Sequence, residues 1–299
     1  MVANNSGRIL ISVIIPINKM RRDSKNLESI MREANGLSIE LVFVLDTSED
    51  FAYKMLTSMC QTYNLNNYKI LENYKRNPGS SKNMGIPNAL GDWILFCDSD
   101  DYPNLKIIAK YLLSITSNID IVIGAYEVEN LQNSKLIEHE GKKSNLNWES
   151  ISINPGLWRW LIRREFLTDI TFPELSMGED QCFVIRLLVK NPRVDFSAQT
   201  FYRYRIGVLG SLTSSKNNIY DLEEVINLEF LCKPLSQKNL RIRNQMIIKQ
   251  ISTLILRGNF HLKMKGLIHF IKIMTIISPR EYVHFIRYFS LVLMNRGTI

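Results

Sequence analysis

The sequence predicts an α/β protein, with a central mixed, mainly parallel sheet flanked by helices and a helical C-terminal extension. Two observations predict this class. Short apolar runs alternate with helix-forming stretches as far as about residue 126, which is the pattern of βαβ units. From about residue 219 onward the composition is that of helices alone, and the chain contains no internal repeat.

Each element follows from its local pattern. Apolar runs without helical spacing, bounded by Gly, Pro, Asn or Asp, predict strands, and the stretches between them predict helices. The predicted strands are 9–15, 39–45, 68–71, 93–97, 119–126 and 201–204. The predicted helices are 24–35, 50–63, part of 77–90, 105–116, 157–167 and one that starts near 178. We expect Pro16 to end the first strand, and the polar residues 129–150 to form a loop.

Composition limits the class of protein. With 45% hydrophobic and 22% charged residues, the 299-residue chain has an ordinary globular composition. Its four cysteines are scattered, which predicts reduced thiols rather than a disulfide or zinc framework. The first residues do not resemble a signal peptide, and no uncharged apolar stretch reaches the length of a membrane span. We therefore expect a cytoplasmic location.

Charge is unevenly distributed along the chain. The net charge is +8, but residues 233–299 contain twelve Lys or Arg and a single acid, Glu281, so residues 1–232 carry −3. An acidic N-terminal part argues against a nucleic-acid partner. The basic segment predicts a helical module that meets something anionic.

The last two predicted helices have narrow polar stripes on otherwise apolar surfaces. These stripes are formed by Lys265, His269 and Lys272, and by His284, Arg287 and Ser290. Three interpretations remain open: a buried two-helix hairpin, a surface for an anionic membrane, or a homo-oligomer interface.

An acidic cluster follows the most apolar of the predicted strands. The run 93–97 leads directly into Asp98, Ser99, Asp100 and Asp101. Open α/β sheets bind ligands at the carboxyl ends of their strands, and carboxylates this close repel each other unless a cation lies among them. Oxygen ligands suit Mg²⁺ or Mn²⁺. The alternative is an Asp-rich turn, followed by a helix that Pro103 opens.

Several segments resemble, in order, those of the family-2 glycosyltransferases, which are inverting enzymes with the GT-A fold and a nucleotide-sugar donor. The matching segments are 11–16, 45–50, 77–85, 89–92, 98–101, 161–167, 178–180 and 202–205. The resemblance covers about residues 10–215. It implies a GT-A domain over 1–215, with a nucleotide-sugar half at 8–101, an acceptor half at 102–215 and a helical module at 216–299.

The resemblance also implies site residues. The residues implied to bind the nucleotide-sugar are Pro16, Asp46, Ser48, Asn77, Gly79, Lys82, Asn83, Asp98, Ser99 and Arg205. Asp98 and Asp100 are expected to bind Mn²⁺ or Mg²⁺, with Asp101 orienting them. Trp158 and Arg163 are expected on the acceptor side, although core packing is the alternative for Trp158.

A base is needed because inversion in one displacement requires removal of the acceptor proton. The resemblance assigns this role to Asp180, with Glu179 as the alternative. In the alternative interpretation, the two carboxylates only complement the positive end of a helix dipole at the helix N-terminus. No nucleophilic Ser or Cys is required.

The family pattern implies transfer of a hexosyl or N-acetylhexosaminyl group, with UDP-sugars the first candidates, to a hydroxyl of a growing surface glycan such as a capsule or O-antigen. A glycan or lipid-linked acceptor would place the protein on the inner face of the membrane. Departures from the pattern are Leu45 for Asp, Lys82 for Arg and Arg205 for His. They leave open a catalytically inactive nucleotide-sugar-binding or scaffold protein. A nucleotidyltransferase is disfavoured because no glycine-rich loop follows the first strand.

Overall fold

The computed structural model describes most of the chain as strands and helices. The described residues are 8–47, 49–131, 135–139, 151–152, 154–207, 219–232, 236–277, 282–283 and 286. The strands are β1 (Ile11–Ile17), β2 (Ile39–Leu45), β3 (Tyr68–Glu72), β4 (Trp93–Phe96), β5 (Tyr102–Pro103), β6 (Ile121–Asn130), β7 (Lys135–His139), β8 (Trp160–Arg163) and β9 (Val194–Ile206). The helices are α1 (Met20–Ala34), α2 (Ala52–Thr62), α3 (Pro78–Asn88), α4 (Leu105–Leu112), α5 (Glu179–Val189), α6 (Asp221–Leu231), α7 (Gln237–Arg257) and α8 (Phe260–Met274).

The strands form one mixed sheet in the order β3-β2-β1-β4-β8-β6-β9-β5, with β7 paired to β6. The first four strands in this order are parallel, as expected for βαβ units, and β8 pairs antiparallel with both neighbours. Strands β1, β2 and β4 are buried along almost their whole length, which is typical of the inner strands of a parallel sheet, whereas β3 at the end of the strand order is only half-buried. The alternation predicted for the first 126 residues is confirmed.

The prediction that Pro16 ends β1 is wrong, because the strand continues to Ile17. Ile14 directs its carbonyl toward β4, where it accepts from the Cys97 amide, and Ile17 directs its carbonyl toward β2. Backbone groups of a parallel strand alternate in direction, so Pro16 faces the β4 side. Pairing on that side ends at Ile14, and the missing N–H of Pro16 therefore costs no hydrogen bond.

The predicted helix over 157–167 is also wrong. Leu157–Arg159 and Arg164–Leu167 form single 3₁₀ turns, and β8 between them is a central strand. Trp160, Leu161 and Ile162 are buried on both faces, so their sequence has no alternation that would distinguish a strand from a helix. Within the predicted loop 129–150, β6 reaches residue 130 and β7 pairs with it, while 140–150 lie outside the described residues.

The chain divides into two compact units. The first comprises Met1–Leu146, Gly156–Glu174 and Pro192–Leu209, and the second comprises Asn147–Pro155, Leu175–Asn191 and Gly210–Ile299. This division differs from the boundary expected after residue 215, because α5 groups with the C-terminal helices. Polar contacts explain the difference: the Leu188 carbonyl accepts from Asn239 Nδ2 at 2.8 Å, and the Ser176 amide donates to Asp221 Oδ2 at 2.8 Å.

The second unit contains α5 to α8 and has its own apolar core. Buried members of this core include Leu222, Ile226, Ile247, Ile251, Leu262 and Ile273. The prediction of a helical C-terminal part is confirmed for the residues that the structure describes. None of the helices described is both long and apolar enough to cross a membrane.

A buried acid lies within this second core. Glu229 in α6 is fully buried, and neither carboxylate oxygen has a hydrogen-bond partner among the described residues. Burial raises the pKa of Glu229 well above its ordinary value, although the charge of Arg243 opposes the shift. The folded chain therefore keeps a proton that the unfolded chain has released. The contribution of Glu229 to the free energy of unfolding is fully present below the ordinary glutamate pKa. It falls as the pH rises toward the pKa of Glu229 in the folded chain.

We expect Glu229→Gln to remove this fall. The difference in free energy of unfolding between variant and wild type should grow with pH, by at most about 1.4 kcal/mol per pH unit. Urea unfolding between about pH 5 and pH 9 measures it. Glu224→Gln, on the exposed side of the same helix, makes the same chemical change outside the core and is the control. A pH-independent difference for Glu229→Gln would contradict the prediction.

Candidate active site

The acidic cluster lies just beyond the carboxyl end of β4. Asp98–Asp101 form a tight turn in which the Asp101 amide donates to the Asp98 carbonyl at 3.1 Å. Because β1, β2 and β4 are parallel, this turn lies at the same edge of the sheet as Asp46, which follows β2. One strand, β1, separates them, so their strands are about 10 Å apart. Pro16 lies near the end of β1, between the two acidic positions.

Helix α1 holds the acidic turn from one side. Ser99 Oγ donates to Asp23 Oδ2 at 2.6 Å, and both side chains are buried. From β9, the buried Tyr202 Oη accepts from the Asp98 amide at 3.1 Å. These contacts fix the backbone of the turn while the Asp98 and Asp100 side chains stay partly exposed.

Arg205 forms hydrogen bonds with the C-terminal end of the turn, at Asp100 and Asp101. Its backbone amide donates to Asp101 Oδ1 at 2.8 Å, and its Nη1 donates to the Asp100 carbonyl at 3.2 Å. The same Nη1 donates at 2.7 Å to Asn26 Oδ1, which also accepts from Tyr102 Oη. The guanidinium is therefore engaged within the protein. The diphosphate-binding role expected for Arg205 stays a prediction.

Sequence reasoning missed Asp23 and Asn26. A signal was present in α1, whose buried face carries Met20, Leu27 and Met31 at helical spacing. Polar side chains at 23 and 26 interrupt this apolar stripe, and a buried polar side chain in such a stripe needs a partner. The partners, however, are far away in sequence and only the fold brings them near.

We expect Asp23→Ala and Ser99→Ala each to lower the free energy of unfolding by about 1–3 kcal/mol, because a buried charge-assisted hydrogen bond is lost. The double variant should lose less than the sum of the two, by about 1 kcal/mol, since both changes remove the same bond. Urea unfolding of the four proteins measures this coupling. Additive losses would show that the Asp23–Ser99 contact contributes nothing of its own.

The electrostatics of the turn suit a cation. Burial, and then the charges of Asp98 and Asp100, raise the pKa of Asp101 well above its ordinary value. Asp101 Oδ2 is buried and has no hydrogen-bond partner among the described residues. A divalent ion beside Asp98 and Asp100 would offset this repulsion, and carboxylate oxygens are the ligands that Mg²⁺ and Mn²⁺ prefer.

The described residues contain no group of three or more His, Cys, Asp or Glu side chains arranged to hold a metal ion by themselves. A pair of carboxylates is the arrangement that Mg²⁺ uses when substrate phosphates and water complete its coordination. Asp98 and Asp100 fit that arrangement, in which the metal binds together with a phosphorylated substrate.

Asp46, just beyond the end of β2, is held by hydrogen bonds to the segment that leads into and begins α3. Its Oδ1 accepts from the Arg76 amide at 2.7 Å and its Oδ2 accepts from Ser81 Oγ at 3.1 Å. Burial raises the pKa of Asp46, and these hydrogen bonds oppose the rise. Buried Asn73 donates to the hydroxyls of Ser80 and Ser81, so it fixes the start of α3 against Asp46. Ser48 lies outside the described residues.

The start of α3 places four of the predicted donor residues together. Asn77 caps the helix, accepting from the Ser80 amide at 2.7 Å. A Cβ on Gly79 would overlap the Pro173 carbonyl, so glycine permits this close approach. Lys82 is buried with its Nζ 5.1 Å from the centre of the Phe172 ring. Asn83 bonds both the amide and the carbonyl of Phe172.

Of the two residues predicted on the acceptor side, Trp158 is buried and Arg163 is partly buried. Trp158 is 8% exposed and stacks on Tyr202 and Tyr204, with ring centroids 4.7 and 5.3 Å away. The Arg163 Nε donates to the Ile119 carbonyl at 2.7 Å, and its guanidinium lies 4.5 Å from the centre of the Trp93 ring. These contacts favour the core-packing alternative for Trp158. An acceptor role for either residue stays a prediction.

The candidate bases belong to the second unit. Glu179 and Asp180 form the first turn of α5, after Gly178 in the left-handed region at φ +83°. Glu179 is 8% exposed, while Asp180 is half-buried. A Cβ on Gly178 would come within 2.7 Å of Val225 Cγ2. Both this close contact and the left-handed backbone therefore favour glycine at this position. The assignment of the base stays a prediction.

Comparison with known proteins defines the class. The sequence model of "Glycosyl transferase family 2" matches residues 12–187, which is more than half of the chain. The chain therefore belongs to glycosyl transferase family 2. The poly(ribitol-phosphate) beta-N-acetylglucosaminyltransferase TarS of Staphylococcus aureus is 26% identical over 239 residues, covering 76% of this chain and 41% of that protein. The chain spans about a third to two fifths of the length of such curated relatives.

Solved structures show a similar fold. The crystal structure of S. aureus TarS 1–349 in complex with UDP-GlcNAc has a TM-score of 0.71 at 18% identity, covering 91% of this chain and 82% of that chain. The mannosyltransferase PcManGT from Pyrobaculum calidifontis, in complex with GDP-Man and Mn²⁺, has a TM-score of 0.59 at 12% identity, covering 96% and 81%. The GT-A fold predicted from the sequence is confirmed.

Proposed function

We propose that this chain transfers a sugar from a nucleotide-diphosphate sugar to a hydroxyl of a growing surface glycan, with inversion at the anomeric carbon. The observation that carries the proposal is the acidic turn at residues 98–101, which is fixed at the same sheet edge as Asp46. Carboxylates at this edge suit a ligand that combines a nucleoside with phosphates and a metal ion. The complex of TarS with UDP-GlcNAc supports a UDP-sugar as the donor.

Donor binding is assigned to the residues of the first unit. Asp46 is assigned to accept a hydrogen bond from the base or ribose, and the capped N-terminus of α3 would supply the positive end of a helix dipole. When bound, Mn²⁺ or Mg²⁺ at Asp98 and Asp100 would neutralise the charge that develops on the departing nucleotide. Ser99, held by Asp23, keeps the turn in place for this role.

The acceptor proton is assigned to Asp180, with Glu179 as the alternative base. A carboxylate that removes this proton lets the hydroxyl displace the nucleotide in one step. No covalent enzyme intermediate is needed. In agreement, burial raises the pKa of Cys97 well above its ordinary value, and the Ser80 and Ser81 hydroxyls contact Asn73.

The acceptor proposed is a glycan or a lipid-linked glycan at the inner face of the membrane. Relatives that act on poly(ribitol-phosphate) support a polymeric surface acceptor. Transfer of a hexosyl or an N-acetylhexosaminyl group is consistent with the two kinds of relative. The GT-A domain of this proposal covers residues 1–215, with donor and acceptor halves meeting near residue 101.

A panel of nucleotide sugars tests the proposal. The purified chain is incubated with UDP-GlcNAc, UDP-glucose or GDP-mannose, with Mn²⁺ or with EDTA, and nucleotide release and thermal stabilisation are both measured. We expect stabilisation and slow release with one UDP-sugar, both lost in EDTA. Stabilisation without turnover, even with glycan acceptors present, would favour the inactive alternative. Neither effect with any donor would overturn the proposal.

A further inference from the structure

One face of α8 is apolar and exposed. Phe260 is 81% exposed, Ile268 63% and Ile271 65%, with Met264 and Leu267 also exposed between them. At 100° per residue these five side chains occupy one arc of about 100° along the helix. We refer to Phe260, Met264, Leu267, Ile268 and Ile271 as the α8 apolar face.

The opposite side of α8 attaches the helix to the second unit. Leu262 and Ile273 are buried in its core, and His269 is also buried. A Cβ on Gly266 would come within 2.9 Å of Ile255, so α8 lies close against α7 there. The α8 apolar face therefore lies on the side of the helix away from this core. Such a continuous exposed apolar surface is typical of an interaction site.

Basic residues border this face on both sides. By helical geometry Lys263 lies on one border, and Lys272 lies on the other, where its Nζ is 4.3 Å from the centre of the Phe230 ring. Between residues 236 and 277 the sequence contains eight Lys or Arg and no Asp or Glu. The partner of this face must therefore be apolar at its centre and negatively charged around it.

We propose that the α8 apolar face binds the surface of an anionic membrane, with its five apolar side chains in the boundary between head groups and acyl chains. Lys263 and Lys272 then contact lipid phosphates on either side. A helix that lies in the membrane plane has this combination of a broad apolar face and basic borders. Four apolar side chains further along the chain, Ile276, Tyr282, Val283 and Ile286, are also exposed.

A second copy of the chain fits less well. A two-fold dimer places the same patch on both partners, so the lysine borders of both copies would meet. With no acidic side chain on α8, that arrangement brings like charges together. An anionic bilayer supplies both the apolar centre and the opposite charge.

Vesicle flotation of the whole chain tests the proposal without using its transfer activity. We expect binding to phosphatidylglycerol-containing vesicles, weakened by salt and absent with phosphatidylcholine alone. Ile268→Ser with Ile271→Ser should weaken this binding at least tenfold. Lys263→Gln and Lys272→Gln should each weaken it by about fivefold.

Matched controls separate this surface from general effects. Leu90→Ser with Leu113→Ser removes two equally exposed apolar side chains from the first unit, and it should leave vesicle binding unchanged. Lys54→Gln with Lys110→Gln removes two exposed charges from the first unit, and it should also leave vesicle binding unchanged. Circular dichroism confirms that each variant is folded.

Three results would overturn the proposal. They are no binding of wild type to anionic vesicles, equal loss in the controls, or a dimer in solution that the Ile268 and Ile271 changes dissolve while vesicle binding stays intact. Nucleotide release in the same samples reports separately on the proposed transfer.

Discussion

Asp100→Asn is expected to lower the rate of sugar transfer by roughly 10²–10³-fold, the range found when one group that stabilises transition-state charge is removed. The amide keeps the shape of the side chain but loses the negative charge that a divalent ion requires. Nucleotide release at several Mn²⁺ concentrations measures the effect. The concentration of Mn²⁺ needed for half-maximal activity should rise together with the loss of rate.

Asp92→Asn is the matched control for this experiment. Asp92 lies at the start of β4, opposite the acidic turn, where it pairs with Arg8 at 2.7 Å on the surface. Surface ion pairs contribute little, so transfer should stay near the wild-type rate. Unchanged activity and an unchanged Mn²⁺ response in Asp100→Asn would contradict the assignment of Asp100 as a metal ligand.

Asp180→Asn is expected to lower the transfer rate by about 10²–10⁴-fold, the contribution typical of a general base. Donor affinity should change little, because the proposed base acts on the acceptor hydroxyl and not on the donor. Initial rates with a saturating donor, together with donor titration by calorimetry, separate the two effects.

Glu179→Gln provides the comparison at the neighbouring position. If Glu179→Gln loses transfer while Asp180→Asn keeps it, the base is Glu179. Retention of activity in both variants would leave only the helix N-terminal role, in which the carboxylates complement the dipole of α5. A loss in Asp180→Asn that is matched by weaker donor binding would indicate a structural effect instead.

Local sequence patterns were sufficient for the parallel half of the sheet. Strands β1, β2 and β4 consist of apolar runs that end in polar turns, and α1 has a clear apolar stripe. The acidic turn was also identified, because its chemistry lies in consecutive residues from Asp98 to Asp101. The prediction from local pattern was wrong for β8, where a helix was expected. A strand that is buried on both faces of the sheet has no period-two alternation to identify it.

The amino-acid sequence alone was enough to predict the α/β class, the family and the acidic turn, because these depend on residues adjacent in the chain. Only the tertiary structure revealed that Asp23 holds Ser99, that the Arg205 guanidinium contacts Asn26, and that α8 exposes its apolar side. These features join residues 70 or more positions apart, or depend on which face of a helix the core covers. Burial and long-range hydrogen bonds are properties of the packed chain. A local sequence pattern therefore does not show which distant residue will be the hydrogen-bond partner of a buried side chain.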